Sequence, residues 1–421
     1  MLDIKFIREN PEKVKNGLEK RRIDFDIAAF LAADKKRREM LSALEDLRSQ
    51  KNKANELIQT SSAGEKEKIV LEMRELDKNA DRIAAEFKEI NGSFQQLLRG
   101  LPNLPLDDVP AGKDEKDNVV LREEGSKPRF DFEPKDYLEI AEKLDIIDTK
   151  RAAKVSGSRF GYLKGEAALL EFALAQLAFE ALAKEGFTPV IPPVLIREEM
   201  MRAMGYIDTE EDLAERYCFD KDKLFLVGTS EQSMGPMHAD EVFDEKDLPR
   251  RYAAFSTCFR REAGSYGKDT KGILRVHQFD KVEMFSFCHP EKSREEHKFL
   301  MKTAEGLMQK LKLPYRVVQL CAGDLARPAA ATYDIESWMP GQNQHRETHS
   351  ISNCTDFQAR RLNIRYKKRD GKMEFVHMLN GTALAMGRML IAIIENYQQK
   401  DGSVKFPDAL SKYFNFKKIQ K

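Results

Sequence analysis

From Ile69 to Leu97 the chain places an apolar residue at alternating spacings of four and three, through Ile69, Met73, Leu76, Ala80, Ile83, Phe87, Ile90, Phe94 and Leu97. Side chains at those spacings share one face of a helix, and a seven-residue repeat held over four heptads predicts a long helix with a single apolar seam. A weaker seam precedes it, through Phe30, Ala33, Met40, Leu44, Leu47, Ala54 and Ile58, interrupted by Arg37 and Lys51. Between the two, "SSAG" at 61–64 predicts a helix break. The pattern reads as an antiparallel helical hairpin over about 30–98, each arm roughly 45–50 Å long at 1.5 Å per residue. Residues 1–24 read as a short helical cap, with Pro11 at a helix start.

The pattern changes after "LPNLPLDDVPAGKDEKDN", whose three prolines, glycine and charges mark a boundary. We expect an N-terminal domain over 1–105, a linker over 106–120 and a second domain over 121–421. In the latter, "ALLEFALAQLAFEALAKEG" (168–186) predicts a buried helix closed by a glycine. Short β-rich runs follow: "FTPVIPPVL", "LFLVG", "YAAFSTCF", "KVEMFSF", "YRVVQLC" and "RRLNIRY". Strands in runs, with helices at intervals rather than in strict alternation, predict an α+β fold on an antiparallel sheet. "LNGTALAMG" (379–387) reads as a glycine-rich helix start. The loop from about Ala263 to Gly272 is too long for a tight hairpin, and loops of that length tend to serve a ligand.

Composition narrows the partners. A net charge of +1 rules out global basicity, so a polynucleotide would have to be held by local patches. The longest apolar runs, 169–182 and 379–394, are interrupted by Glu171 and Arg388 and are too short to span a bilayer. Five cysteines with no CxxC pair argue for reduced thiols in a cytoplasm and against a zinc ribbon. Basic residues off the hairpin seam, among them Arg38, Arg48, Lys53, Arg74, Lys78 and Arg82, are placed to track a phosphate backbone. Two readings of the hairpin fit: half of a helical bundle or oligomerisation coil, or an exposed arm. The absence of further heptad segments favours the arm, although interleaved acidic residues also suit a merely solvated face.

Charged and hydroxyl groups gather at the ends of the strand-like runs, in "GTSE" (228–231), "FRRE" (259–262), "RVHQFDKVE" (275–283), "RETHSISNC" (346–354) and "LNGTALAMGR" (379–388). Singly, each suits a surface ion pair contributing roughly 0–1 kcal/mol. Together they suit a nucleoside triphosphate: Arg260, Arg275 and Arg388 for polyphosphate, Glu347 and Ser350 as oxygen ligands for Mg²⁺, Phe279 for a base, and Glu231 and Glu283 for an ammonium group. No GxxxxGK[ST] or GxGxxG fingerprint occurs, so the nucleotide would lie on a sheet. No GxSxG nucleophile is present either. Chemistry by positioning and charge neutralisation points to nucleotidyl transfer from ATP.

At this point the sequence resembles the seryl-tRNA synthetases, class II aminoacyl-tRNA synthetases, along essentially its whole length. The resemblance begins with "MLDIKFIRENPEKVKNGLEKR" and the hairpin, continues through "GSRFGYLKGEAALLE" and ends in "GSVKFPDAL". Motif 1 resembles "EGFTPVIPPVL", motif 2 "FRREAGS…RVHQFDKVE" and motif 3 "LNGTALAMGRMLIAIIENYQ", and "SNCTDFQARRLNIRY" is specific to the seryl members. The resemblance implies that Arg260 contacts the α-phosphate and the substrate carboxylate, Glu262 reads the adenine amino group, and Phe279 and Arg388 sandwich the adenine. It places Arg275 at the γ-phosphate and Glu347 and Ser350 at ATP and Mg²⁺. Arg261, Val276, Thr348 and His349 join the ATP set. Thr229, Ser230, Glu231, Arg260, Glu283, Asn380 and Thr382 form the serine pocket, and Arg260 and Arg388 are the catalytic pair. The implied reaction converts L-serine and ATP to seryl-adenylate and pyrophosphate, then passes serine to serine tRNA, and to selenocysteine tRNA where one exists. It also implies a cytoplasmic homodimer with motif 1 at its interface, and a hairpin that grips the long variable arm of the tRNA across the dimer. No zinc and no membrane are expected. Departures from the family pattern fall at Arg327–Pro328, Thr332 and His349. A carrier-directed adenylating enzyme and a non-catalytic scaffold are the alternatives; the first commonly lacks the arm, and loss of Arg260, Glu262, Glu347 or Arg388 would mark the second.

Overall fold

The computed structural model describes residues 1–263 and 271–421. The centre of the long Ala263–Gly272 connection thus lies outside the described residues. The chain divides into two compact units, one of 2–19 and 23–101, the other of residue 1, 20–22 and 102–421.

The smaller unit is helical. Helices Ile4–Glu9 and Pro11–Lys20 precede an outgoing helix, Ile27–Thr60, and a return helix, Ala63–Gly100. Asp26 caps the outgoing helix by accepting from the Ala29 N–H at 2.9 Å. A Ser62–Glu65 capping box starts the return helix, so the break is two residues long and Ala63 and Gly64 already lie in the first turn. The seam packs as expected from Ile69 to Phe94, but its last member is Leu98, 3% exposed, and not Leu97, 48% exposed. A straight helix of 3.6 residues per turn drifts from a seven-residue repeat, and here the step after Phe94 is four. Phe94 stacks on Phe30 with ring centroids 4.9 Å apart, and the Arg37 guanidinium covers the same ring. Both seam interruptions are therefore polar pairs: Lys51 meets Asp77 at 2.6 Å, and Arg37 meets Asp34 at 3.2 Å. Asp34 is fully buried and also holds Arg8 at 2.6 Å and Arg38 at 3.1 Å. Burial alone would raise its carboxyl; the three guanidinium groups win and hold it below the usual range. Of the other basic residues expected on the arm, Lys78 and Arg82 pair with Glu75 and Glu86, while Arg48, Lys53 and Arg74 are exposed.

The larger unit is built on eight strands: β1 Val119–Glu124, β2 Thr188–Val190, β3 Arg250–Phe259, β4 Gln278–Cys288, β5 Tyr315–Gln319, β6 Ala331–Met339, β7 Gln344–Asn353 and β8 His377–Ala385. Their order across the sheet is β1-β5-β6-β7-β8-β4-β3-β2. Every pairing is antiparallel except β2 on β3. The expected α+β class is what forms. One sheet face, carrying Val282, Met284, Ile335 and Ile351, packs on helices Glu166–Lys184, Ser293–Lys310 and Met386–Asn396 in the main apolar core.

Two expectations are corrected. "LNGTALAMG" is mostly strand β8, and the helix begins only at Met386; buried on both faces, this strand has no alternation to betray it. In "RRLNIRY" the first three residues end a helix, Phe357–Leu362, which Asn363 closes in the left-handed region before a short strand, Arg365–Lys367. Strands β1, β6 and β7 were not among the expected runs. β1 is exposed throughout, and β7 is polar because one of its faces lines a cavity.

Candidate active site

The cavity, about 580 Å³, opens on the other face of the central strands. Alternation along β4 points Phe279, Lys281 and Glu283 into it, while Val282 and Met284 enter the core. Farther along the same face, Phe285 and Phe287 join Met234, Phe243 and Tyr366 in a second apolar cluster, which closes that end. β8 contributes Asn380 and Thr382, and β7 contributes Glu347, Ser350 and Ser352. The pairing of Glu283 with Thr382 across β4 and β8 brings the threonine hydroxyl 3.4 Å from the carboxylate to which it donates. Arg388 enters from the first turn of the helix that follows β8.

The cations are tethered rather than loose. Arg260 Nε donates to the Gly228 carbonyl at 3.1 Å, and its guanidinium lies 5.3 Å from the centroid of Phe279. Arg275 donates to Glu262 at 2.8 Å. Arg388 donates to both the carboxylate and the backbone carbonyl of Glu347 at 2.9 Å. Glu262 has φ +51°, a left-handed backbone uncommon for a residue with a side chain and a frequent mark of functional sites. Deeper on β4 and beside it, Lys281 pairs with Glu283 and the Tyr206 hydroxyl donates to Glu231. The hydroxyls of Thr229 and Ser230 are buried without a hydrogen-bond partner among the described residues.

Of the residues expected in the site, Thr229, Glu231, Arg260, Glu262, Arg275, Val276, Phe279, Glu283, Glu347, Thr348, Ser350, Asn380, Thr382 and Arg388 all line this one cavity. Three do not. Ser230 is fully buried at the start of the Glu231–Met234 turn. Arg261 packs near the Tyr217 ring, with its backbone N–H on the Glu215 carbonyl. His349 is buried with Nδ1 on Thr348 Oγ1 at 2.9 Å, and burial pushes its imidazole down to about 4, so it stays neutral. The other departures are accounted for: Arg327 pairs with Asp212 at 3.5 Å, and Thr332 meets Ser352 at 2.9 Å. Sequence reasoning missed Tyr206, Arg216, Gln232, Lys281, Ser352 and Cys354. Lys281 was within reach, two residues from both Phe279 and Glu283 on a strand; Tyr206 and Arg216 come from loops with no pattern to flag them.

Residues 1–105 match the model of the seryl-tRNA synthetase N-terminal domain, and 217–397 match the class II tRNA synthetase core domain (G, H, P, S and T). The chain is 45% identical to a serine–tRNA ligase of Dictyoglomus turgidum, over 100% of this chain and 99% of that one. It is 40% identical to the serine–tRNA ligase of Nitrosopumilus maritimus, over 99% and 100%. The seryl-tRNA synthetase of Pyrococcus horikoshii complexed with ATP superposes with a TM-score of 0.91, at 42% identity, over 100% of this chain and 99% of that one. This chain belongs to the seryl-tRNA synthetase family.

In this member of the family the titratable groups of the cavity are tuned in opposite directions. Burial would raise Glu347, but Arg388 and Arg260 outweigh it and keep the carboxylate ionised. Burial raises Glu283, helped by Glu231 and opposed by Lys281. Asp334 on β6, in register with Ser350, is pushed well up by burial and by Glu347, and its Oδ1 has no partner among the described residues. Glu347 and Ser350 thus present hard oxygens to the cavity, and this donor set fits Mg²⁺. Among the described residues no three His, Cys, Asp or Glu side chains gather as a metal cluster. That is compatible with an ion brought in by phosphates and held by few protein ligands.

Proposed function

We propose that this chain is an ATP-dependent serine–tRNA ligase. A serine carboxylate oxygen attacks the α-phosphorus of ATP, pyrophosphate leaves, and the terminal ribose hydroxyl of the tRNA then attacks the seryl carbonyl and releases AMP. The observation that carries the reading is the cavity itself, where three tethered arginines face a buried pair of carboxylates, Glu231 and Glu283. Arg260, Arg275 and Arg388 neutralise the phosphates, and Phe279 and Arg388 flank the base. Glu347 and Ser350 would hold Mg²⁺, which supplies charge neutralisation when bound with ATP. The orphaned Thr229 hydroxyl and the Thr382–Glu283 pair give a small polar substrate its partners. A site that must satisfy buried polar groups rejects alanine strongly, whereas threonine is excluded only by crowding.

The hairpin is read as the tRNA-binding part, within an N-terminal domain of 1–105 joined through 106–120 to the catalytic domain of 121–421. Its exposed Arg48, Lys53 and Arg74 support contact with phosphates. Phe172 and Leu169, three apart on helix Glu166–Lys184, and Ile191 beyond β2 are exposed apolar side chains in and beside motif 1, which supports a homodimer through that surface. No described helix is long and apolar enough to cross a membrane.

The test is amino-acid-dependent ATP–pyrophosphate exchange over all twenty amino acids, followed by charging of total tRNA with and without Met40–Ile90 of the hairpin. Exchange with serine alone and hairpin-dependent charging are expected. Exchange without charging of any tRNA would move the reading to a carrier-directed adenylating enzyme, and no exchange would point to a scaffold.

A further inference from the structure

Arg216 has no role in the reading above, yet it lines the same cavity. It sits in the stretch between helix Glu210–Ala214 and the short strand Cys218–Phe219. Its guanidinium lies over the Tyr206 ring, 5.2 Å from the centroid, and the Tyr206 hydroxyl donates to Glu231. Its Nε is buried and has no hydrogen-bond partner among the described residues. A Cβ placed on Gly228 would come within 2.8 Å of Arg216 Nη1, and the carbonyl of that same Gly228 holds Arg260 Nε at 3.1 Å. Two guanidinium groups therefore converge on one glycine at the rim of the amino-acid pocket. Burial, and then the charge of Arg260, pull the Arg216 pKa down against the opposing pull of Asp212 and Glu215.

We propose that Arg216 binds the carboxylate of the amino-acid substrate, as a second cation opposite Arg260. The ammonium and the carboxylate of an α-amino acid leave the same carbon. A residue stacked on the hydroxyl partner of Glu231 is thus placed for the carboxylate once Glu231 takes the ammonium. The other two arginines of the cavity reading differ: Arg275 and Arg388 are already tied to Glu262 and Glu347, on the nucleotide side. Glycine at 228 leaves the Arg216 guanidinium room beside that backbone; a Cβ there would require its Nη1 to shift. This inference rests on the reading of the cavity as a serine-activating site.

The experiment compares two ligands on the full chain: L-serine, and L-serinamide, which keeps the ammonium and the hydroxyl but lacks the carboxylate. Dissociation constants are measured for both by calorimetry on the wild type, Arg216→Ala and Arg216→Lys, and KM for serine and for ATP by pyrophosphate exchange. Loss of a charge-assisted bond should weaken L-serine in Arg216→Ala roughly ten- to hundredfold. L-Serinamide should change less than about twofold, as should KM for ATP, and Arg216→Lys should recover part of the loss because it keeps the charge. Equal weakening of both ligands would overturn the proposal in favour of a packing role through Tyr206. An unchanged L-serine affinity, or a rise in KM for ATP alone, would overturn it as well. A wild type that binds no serine would instead remove the serine-activating reading.

Discussion

The hairpin and the catalytic sheet are stabilised by different kinds of neighbour. In the hairpin, Phe30 meets Phe94, Lys51 meets Asp77, and most seam positions between Ala54 and Ile90 stay half-exposed, because two helices bury only one stripe of each. In the sheet unit, residues such as Leu170, Val282 and Ile391 are wholly buried among strands and helices remote in sequence. The same contrast governs charge. Asp34, in the hairpin, is held below the usual carboxylate range because three arginines outweigh burial. Glu171, on the core helix, is pushed up to about 8 by burial first and Asp280 second. What differs is the charge that the fold brings to each carboxyl: three guanidinium groups at Asp34, a second carboxyl at Glu171.

The largest effect that sharpens this contrast belongs to the sheet. Arg388→Ala should lower pyrophosphate exchange roughly a hundred- to a thousandfold. Its thermal midpoint should stay near that of the wild type, because the side chain faces the cavity. Retained exchange would show that the cations of the cavity do not carry the chemistry.

Next is Asp34→Ala, which strands three arginines and should cost the helical unit about 3 kcal/mol. Denaturant melts followed by hydrogen exchange along 27–100 would locate the loss. Asp34 also fixes a pH dependence. A depressed carboxylate stabilises above its unfolded value, roughly 3.9, and that contribution is lost as pH falls through the lower folded value. Acid should therefore loosen the hairpin.

The register of the seam provides a finer break. Leu98→Ala should cost about 2–3 kcal/mol and Leu97→Ala less than about 0.5 kcal/mol, judged by paired melts. The opposite ranking would restore the strict heptad.

The smallest effect is a slope. A carboxyl raised to about 8 binds its proton more tightly in the folded state, so Glu171 should make stability fall as pH rises from about 4.3 towards 8. Glu171→Gln should flatten that decline, and an unchanged slope would mean that Glu171 ionises freely.

Much of the site was legible, though unevenly. Phe279 and Glu283 share a face by simple alternation, and Arg260 and Glu262 flank the strand that pairs with theirs. β7 was not legible as a strand because "QHRETHSISN" is polar where it meets the cavity, and β8 was not because both of its faces are buried, with Asn380 and Thr382 on the cavity side. The resemblance put His349 with the ATP residues, yet its side chain is buried and does not line the cavity.

By itself, the sequence determined whatever depends on neighbours along the chain. The length and seam of the hairpin follow from a period of 3.6, the start of each arm follows from a capping side chain, and the α+β class follows from the rhythm of runs and breaks. Only the tertiary structure decided what depends on neighbours across it. Tyr206, Arg216, Gly228 and Arg260 meet at one rim because a loop, a turn and a strand end there together. The step to Leu98 was settled by which side chain the helical unit buries, and the shifts of Asp34 and Glu171 by which charges the fold brought near them. Periodicity is a local property that a sequence writes out directly; convergence of side chains is set by the path of the whole chain.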